Sequence, residues 1–279
     1  MVVAVVNFAI RPVSSVQEFL GHCDALLDQS KGADWVVFPE CHSLELASLF
    51  PQLEGRELIQ ALAELTPSLE LWATDAARNS HQTIVAGTTF VQTESGPVHV
   101  ASTHSPDGKI VRQPKNQMTQ FESEDWGLSI QTGLKPQPNP KVGILICYDS
   151  EFPEAGRAHA EAGVELLVVP AFTETQRGFQ RVRWSCLARA VENQIFVAHA
   201  SLVGGLNREP VPSAYGSSAI IAPSVTPFPE SAILAETPLS VESVAIAELD
   251  FELLSLARNQ DDVRNWHDRN RVNWSVTQD

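Results

Sequence analysis

Cysteine is scarce in this chain: there are four in 279 residues, Cys23, Cys41, Cys147 and Cys186. None stands in a C-x-x-C pair or at metal-ligand spacing. That argues against a disulfide framework or a zinc site, and for free thiols in a reducing cytoplasm. The eight histidines include no H-x-x-x-H or H-E-x-x-H, so no metal is expected, and no G-x-G-x-x-G or G-x-x-x-x-G-K-[ST] offers a nucleotide cradle. Long apolar runs are missing too. No stretch approaches the roughly 20 apolar residues of a membrane span, and the short apolar Met1–Ile10 lacks the basic flank of a signal peptide and reads as a first strand.

Positive charge is in short supply, with 19 Lys and Arg against 34 Asp and Glu, a formal net charge of −15. A chain this acidic, with no basic block, is repelled by phosphate backbones and anionic bilayers, so neither nucleic acid nor membrane is an expected partner. What remains is ordinary globular composition: 43% hydrophobic and 19% charged residues, enough to build a substantial core.

Strand and helix patterns alternate along the chain. Strand-like runs are expected at Val2–Ile10, Asp34–Glu40, Gln82–Phe90, Val98–Ser102, Ile110–Arg112, Val142–Cys147, Val164–Ala171, Ile195–Leu202, Ser218–Pro223 and Val241–Leu249. Helical periodicity covers Ser14–Ser30, Glu54–Ser80 with an interruption near Pro67, Pro153–Gly163 and Gln176–Gln194. Asp107-Gly108 is a hairpin turn pattern, and Lys115–Pro140 is an irregular connection of the length that often carries function. No linker divides the chain. About ten strands are many for one open sheet, so two sheets packed face to face with helices outside are expected.

Val142-Gly-Ile-Leu-Ile-Cys-Tyr-Asp149, expected as the central strand, delivers Cys147 to a strand end just before a proline-marked helix start. The free N–H groups at Ser150–Pro153 would favour a thiolate there, although a free cysteine in such a run is also a common core residue. Glu40 ends a hydrophobic strand, where α/β active sites assemble, and a carboxylate in a dry pocket is suited to general-base work. Lys115 opens the irregular loop, and a fixed ammonium stabilises the oxyanion of cysteine attack on a carbonyl. Glu122 lies seven residues further on, where it would orient Lys115 or substrate. His199, at the end of another strand, is an alternative partner for Cys147 in a thiol-protease dyad. Phe172 and Thr173 follow the strand after Cys147 and are expected to line its pocket. Arg177, Arg181 and Arg183 would face either an acidic substrate group or solvent.

Phe38-Pro-Glu40, Pro114-Lys-Asn-Gln-Met-Thr-Gln-Phe-Glu122 and Gly143-Ile-Leu-Ile-Cys-Tyr-Asp-Ser-Glu-Phe-Pro-Glu154 together resemble, in order, the glutamate, lysine and cysteine motifs of the nitrilase (carbon–nitrogen hydrolase) superfamily. Arg189-Ala-Val-Glu-Asn-Gln194 extends the likeness, which runs from Met1 to about Asp250.

The resemblance implies an α/β fold, the four-layer α-β-β-α sandwich. A carbon–nitrogen hydrolase domain would span 1–255, and a C-terminal tail, 256–279, would pack on a partner subunit of a homodimer or higher homo-oligomer. It implies Glu40 as base, Lys115 with the backbone N–H of Tyr148 as oxyanion partners, Cys147 as nucleophile and Glu122 as second glutamate, with Tyr148, Phe172 and Thr173 against substrate and no cofactor. Cys-Tyr-Asp is more like the amidase, ω-amidase and carbamoylase branches than the nitrile-hydrolysing one. The expected activity is therefore hydrolysis of a small amide or N-carbamoyl compound through a Cys147 thioester. Nitrile hydrolysis and a non-catalytic binding role are the alternatives.

Overall fold

The computed structural model describes residues 1–260 and 263–272. Trp274 and the other tail residues at 261–262 and 273–279 lie outside the described residues.

Among the described residues, eleven strands form two facing half-sheets. The first runs in the order β11 (Ser243–Glu248), β1 (Val2–Ile10), β2 (Trp35–Val37), β3 (Thr83–Thr93), β4 (Gly96–His104), β5 (Ile110–Pro114). The second runs β10 (Ile233–Glu236), β9 (Ala219–Ile221), β8 (Phe196–Gly204), β7 (Leu166–Ala171), β6 (Val142–Ile144). They are joined where the ends of β1 and β8 pair in parallel, from Phe8 opposite Leu202 to Ile10 opposite Gly204.

The two-residue period of a strand sorts side chains into layers. Val3 and Val5 of β1, with Val37 and Val85, face the core shared with Ile144, Leu166, Val168 and Val197 of the second sheet. Ala4, Val6 and Phe8 face the other way, onto Phe19, Cys23 and Leu26 of α1 (Val16–Gln29) and Leu58, Leu62 and Ala73 of α2 (Gly55–Ser80). On the far side, Ala160 of α4 (Pro153–Glu161) and Val182, Cys186 and Ala190 of α5 (Gln176–Asn193) cover the second sheet. The result is the expected α-β-β-α sandwich.

Four local expectations change. Pro67 does not interrupt α2, which runs unbroken through it with Pro67 on the exposed side; burial of the Leu58–Ala77 face holds the helix through one missing hydrogen bond. The strand before Cys147 is three residues long and, among the described residues, pairs only with β7, so it is an edge and not the centre of its sheet. The short β10 carries no clear alternation and was not expected. Inside the irregular connection, α3 (Gln120–Glu124) is nucleated by a capping box between Thr119 and Glu122.

α6 (Phe251–Gln260) crosses residue 255 and buries Leu254 and Ala257, so chain on both sides of that boundary packs on the same body. α7 (Asn265–Asp268) holds Trp266, whose ring lies beneath the guanidinium of Arg269 at 3.7 Å. Among the described residues, no helix is long and apolar enough to cross a membrane.

Candidate active site

Glu40 follows β2 at a tight reversal where Cys41 adopts a left-handed φ of 60°. The backbone there passes so close to β3 that a Cβ on Gly87 would lie 2.2 Å from the Pro39 carbonyl oxygen, which only glycine avoids. Lys115 continues β5, its N–H donating to the His99 carbonyl at 2.9 Å. Cys147 sits on a 3₁₀ turn, Cys147–Glu151, with φ of 46°, a strained conformation for a residue with a Cβ. The turn is held by Ser150 Oγ donating to the Cys147 carbonyl at 2.6 Å and by Arg189 Nε donating to the Ser150 carbonyl at 3.0 Å.

The fold brings these three residues to one cavity of about 520 Å³. Lys115 Nζ donates to Glu40 Oε1 at 2.7 Å and to both oxygens of Glu122 at 2.7 Å. Phe172 binds at two points: its N–H donates to Glu40 Oε2 at 2.8 Å, and its carbonyl accepts from Cys147 Sγ at 3.5 Å. All four ionisable groups are buried. Five segments leaving strand ends (after β2, β5, β6, β7 and β8) contribute lining residues, including Cys41, Trp126, Tyr148, Thr173 and Glu209.

Burial would strip the proton from Lys115, yet Glu122 and Glu40 outweigh it and hold the ammonium well above its ordinary range. Burial also opposes the Glu122 carboxylate, but Lys115 and a hydrogen bond from His99 push its pKa below the usual range. A lysine shared between two carboxylates is how a buried charge is tolerated. The Cys147 thiol is raised well above its ordinary value, first by burial and then by the Glu40 charge, with Lys115 opposing. The expected thiolate at a helix end is thus corrected. α4 begins only at Pro153, beyond the turn, and desolvation beside a carboxylate outweighs the helix end.

Tyr148, Phe172 and Thr173 all line the cavity. Tyr148 packs edge-on against Phe152 at 5.1 Å. The Thr173 hydroxyl is already committed, donating to the Tyr215 carbonyl at 2.8 Å. His199 is not among the lining residues; it stacks on Phe179, and Ser201 Oγ is 3.4 Å from its Nε2, so the dyad has no geometry. Of the three arginines, only Arg181 reaches the cavity, 3.4 Å from Glu151; Arg183 is buried and spent on Glu236 and Ser217.

Two residues that sequence reasoning passed over support the site. His99 lies between Glu122 Oε1 (3.0 Å) and Thr88 Oγ1 (2.6 Å), with Phe90 stacked on its ring. Nothing in its sequence neighbourhood marks it. Asp149 accepts backbone N–H groups from both sides of the site. The Thr119-x-x-Glu122 capping pattern is a local signal that sequence reasoning did not use and that would have placed Glu122 at a helix start. Glu40, Cys41 and His99 bring ligand-type atoms within 4.8 Å of one another. The oxygens of Glu40 are taken by Lys115 and Phe172, His99 is engaged at both nitrogens, and an ammonium sits alongside, so the cluster does not suit a cation.

The family profile described as carbon–nitrogen hydrolase matches residues 2–259. A probable hydrolase of Bacillus subtilis, YhcX, is 33% identical over 274 residues, covering 96% of this chain and 53% of the relative, so the chain spans about half of that protein's length. An omega-amidase of Xenopus tropicalis is 27% identical over 276 residues, covering 94% of this chain and 92% of that one. Among solved structures, a carbon–nitrogen hydrolase from Helicobacter pylori shares the fold with a TM-score of 0.78 at 20% identity, over 93% of this chain and 92% of that one.

Proposed function

This chain belongs to the carbon–nitrogen hydrolase family, in its amidase-like branch, and from that premise we propose that it hydrolyses a small amide or N-carbamoyl compound through a thioester on Cys147. The observation that carries this reading is the Lys115 ammonium, 2.7 Å from Glu40 Oε1 and buried in the same cavity as the Cys147 thiol.

A thiol held protonated needs a base at the moment of attack. Glu40 takes the Sγ proton as sulfur bonds to the carbonyl carbon and the C–O π pair moves onto oxygen. Lys115 Nζ and the Tyr148 N–H stabilise that oxyanion. The intermediate collapses, the C–N bond breaks, and Glu40 returns the proton to the departing ammonia or amine. Glu40 then deprotonates the water that cleaves the thioester and restores the thiol. Glu122 holds Lys115 charged and in place throughout.

Phe172 and Thr173 shape the substrate wall. Arg181 is the cation at the mouth for an acidic substrate group, while Glu174 and Glu209 line the mouth as well. Nitrile hydrolysis is the lesser reading, because Cys-Tyr-Asp stands where nitrile-hydrolysing members tend to carry Cys-Trp-Glu. The four free cysteines, all buried, support a cytoplasmic enzyme. Trp184, 63% exposed on α5, supports a homodimer or higher homo-oligomer formed on that face.

The test is ammonia release from dicarboxylate monoamides, N-carbamoyl amino acids, aliphatic amides and nitriles. Turnover of an amide or carbamoyl compound that is abolished in Cys147→Ala, with a thioester adduct found by mass spectrometry, supports the reading. Activity on nitriles alone, or turnover that survives Cys147→Ala, rejects it.

A further inference from the structure

Lys115 and Cys147 arrive from opposite sheets. Lys115 follows β5, the outer edge of the first sheet, and Cys147 follows β6, the outer edge of the second. The sheets are joined through β1 and β8, but on the β5/β6 side the sandwich is open; among the described residues β5 pairs only with β4, and β6 only with β7. No ladder therefore sets the separation of the ammonium from the thiol.

The Asp149 side chain ties the backbone after Lys115 directly to the backbone before Cys147 across that opening. Asp149 Oδ1 accepts from the N–H of Gln117 at 2.8 Å and of Asn116 at 3.2 Å, the two residues after Lys115. Its Oδ2 lies 3.3 Å from the Asn116 N and 3.3 Å from the N of Ile146, the residue before Cys147. The carboxylate is 2% exposed and is not part of the cavity wall, so it does not meet substrate. Three N–H donors converge on it, a set that suits an acceptor-only group; the amide of an asparagine would turn its own N–H against one of them.

We infer that Asp149 is the positioning residue that fixes the Lys115 loop against the Cys147 turn across the open side of the sandwich. The inference rests on the roles proposed above for Lys115 and Cys147. It differs from them in assigning the geometry of that pair to a carboxylate that takes no part in bond making.

The experiment compares wild type, Asp149→Asn and Asp149→Glu by steady-state kinetics, by thermal unfolding, and by the pH profile of Cys147 alkylation with iodoacetamide, followed by mass spectrometry of the intact protein. Misplacing a catalytic group by about 1 Å costs about 100-fold in rate, so Asp149→Asn is expected to lose about that much kcat with KM little changed. Its alkylation profile should move to higher pH, because Lys115 no longer stands where it favours the thiolate. Asp149→Glu, which keeps the acceptors on a longer stem, should fall between the two.

A merely structural role lowers the melting temperature but leaves the alkylation profile of the folded protein unmoved. A profile that superimposes on wild type overturns the inference, as does kcat retained in Asp149→Asn. Where Asp149→Asn does not fold, Asp149→Glu is judged by the same criteria. The alkylation arm reads the thiol directly, so it decides the matter even if no amide in the panel is turned over, which would be a failure of the proposed function alone.

Discussion

The Phe172 N–H donates to Glu40 Oε2 at 2.8 Å across 132 residues of sequence. Because the Phe172 carbonyl also receives the Cys147 thiol, one peptide segment after β7 orients both the general base and the nucleophile. With Lys115 on Oε1, neither Glu40 oxygen is free to rotate away. Replacing Glu40 by Gln keeps this shape but removes the proton acceptor. General-base catalysis contributes about 10²–10⁴-fold, so Glu40→Gln should lose that much kcat, and it should also melt at a lower temperature, because the buried Lys115 ammonium loses one of its two carboxylates. Wild-type turnover by Glu40→Gln would exclude Glu40 as the base.

Glu122 compensates a buried ammonium. Removing one partner of a buried ion pair costs about 3–5 kcal/mol. Glu40 still pairs with the ammonium, so Glu122→Gln should sit at the lower end, about 3 kcal/mol by urea denaturation, with lower activity. Because Lys115 is held well above and Glu122 below their ordinary ranges, this pair stays charged at every pH near neutrality. An activity titration near neutrality that vanished in Glu122→Gln would contradict that.

Alkylation should single out Cys147. Cys23, Cys41 and Cys186 are at most 1% exposed, while Cys147 lines the cavity; burial pushes the Cys186 thiol to about 12. Cys41 also lines the cavity, but it is only 1% exposed, and burial with the Glu40 and Glu122 charges holds its thiol well above the ordinary value against the opposing Lys115 charge. Iodoacetamide should therefore modify Cys147 first, faster as pH rises. Faster labelling of Cys23 or Cys186 would be incompatible with the structure.

His22 lies between two carboxylates, 2.9 Å from Glu45 and 2.7 Å from Glu242, tying α1 to the segment after Glu40 and to the residue before β11. Burial lowers its pKa, but the two hydrogen bonds and charges more than reverse this, leaving it above 6.5. A raised folded pKa stabilises fully below the unfolded value and is lost as pH rises through the folded one. Urea stability of the wild type should thus decline from pH 6.5 upward relative to His22→Gln, and parallel curves would refute the pairing.

Pro67 on the exposed side of α2 leaves the Ala63 carbonyl without its helical donor. Pro67→Ala should raise stability, by up to about 3 kcal/mol on helix propensity. Unchanged or lower stability in thermal unfolding would show that the ring contributes packing.

The sequence by itself determined the layer pattern and three of the reactive groups. Alternating apolar residues in β1 and the periodic faces of α1, α2 and α5 are local properties, readable because strand and helix repeat at fixed periods. Glu40, Lys115 and Cys147 each end or follow a strand, a position that the local apolar run announces. Where sequence reading failed, the deciding force was not local. Pro67 stays helical because a buried face elsewhere in α2 outweighs one lost bond, and the Cys147 thiol is raised because the fold buries it beside Glu40. His99 and Asp149 take their meaning from partners 23 and about 33 residues away. Only the tertiary structure decided how the two sheets meet at the cavity, because the distance between groups on separate sheets is set by packing and by cross-sheet hydrogen bonds, neither of which leaves a periodic mark in the chain.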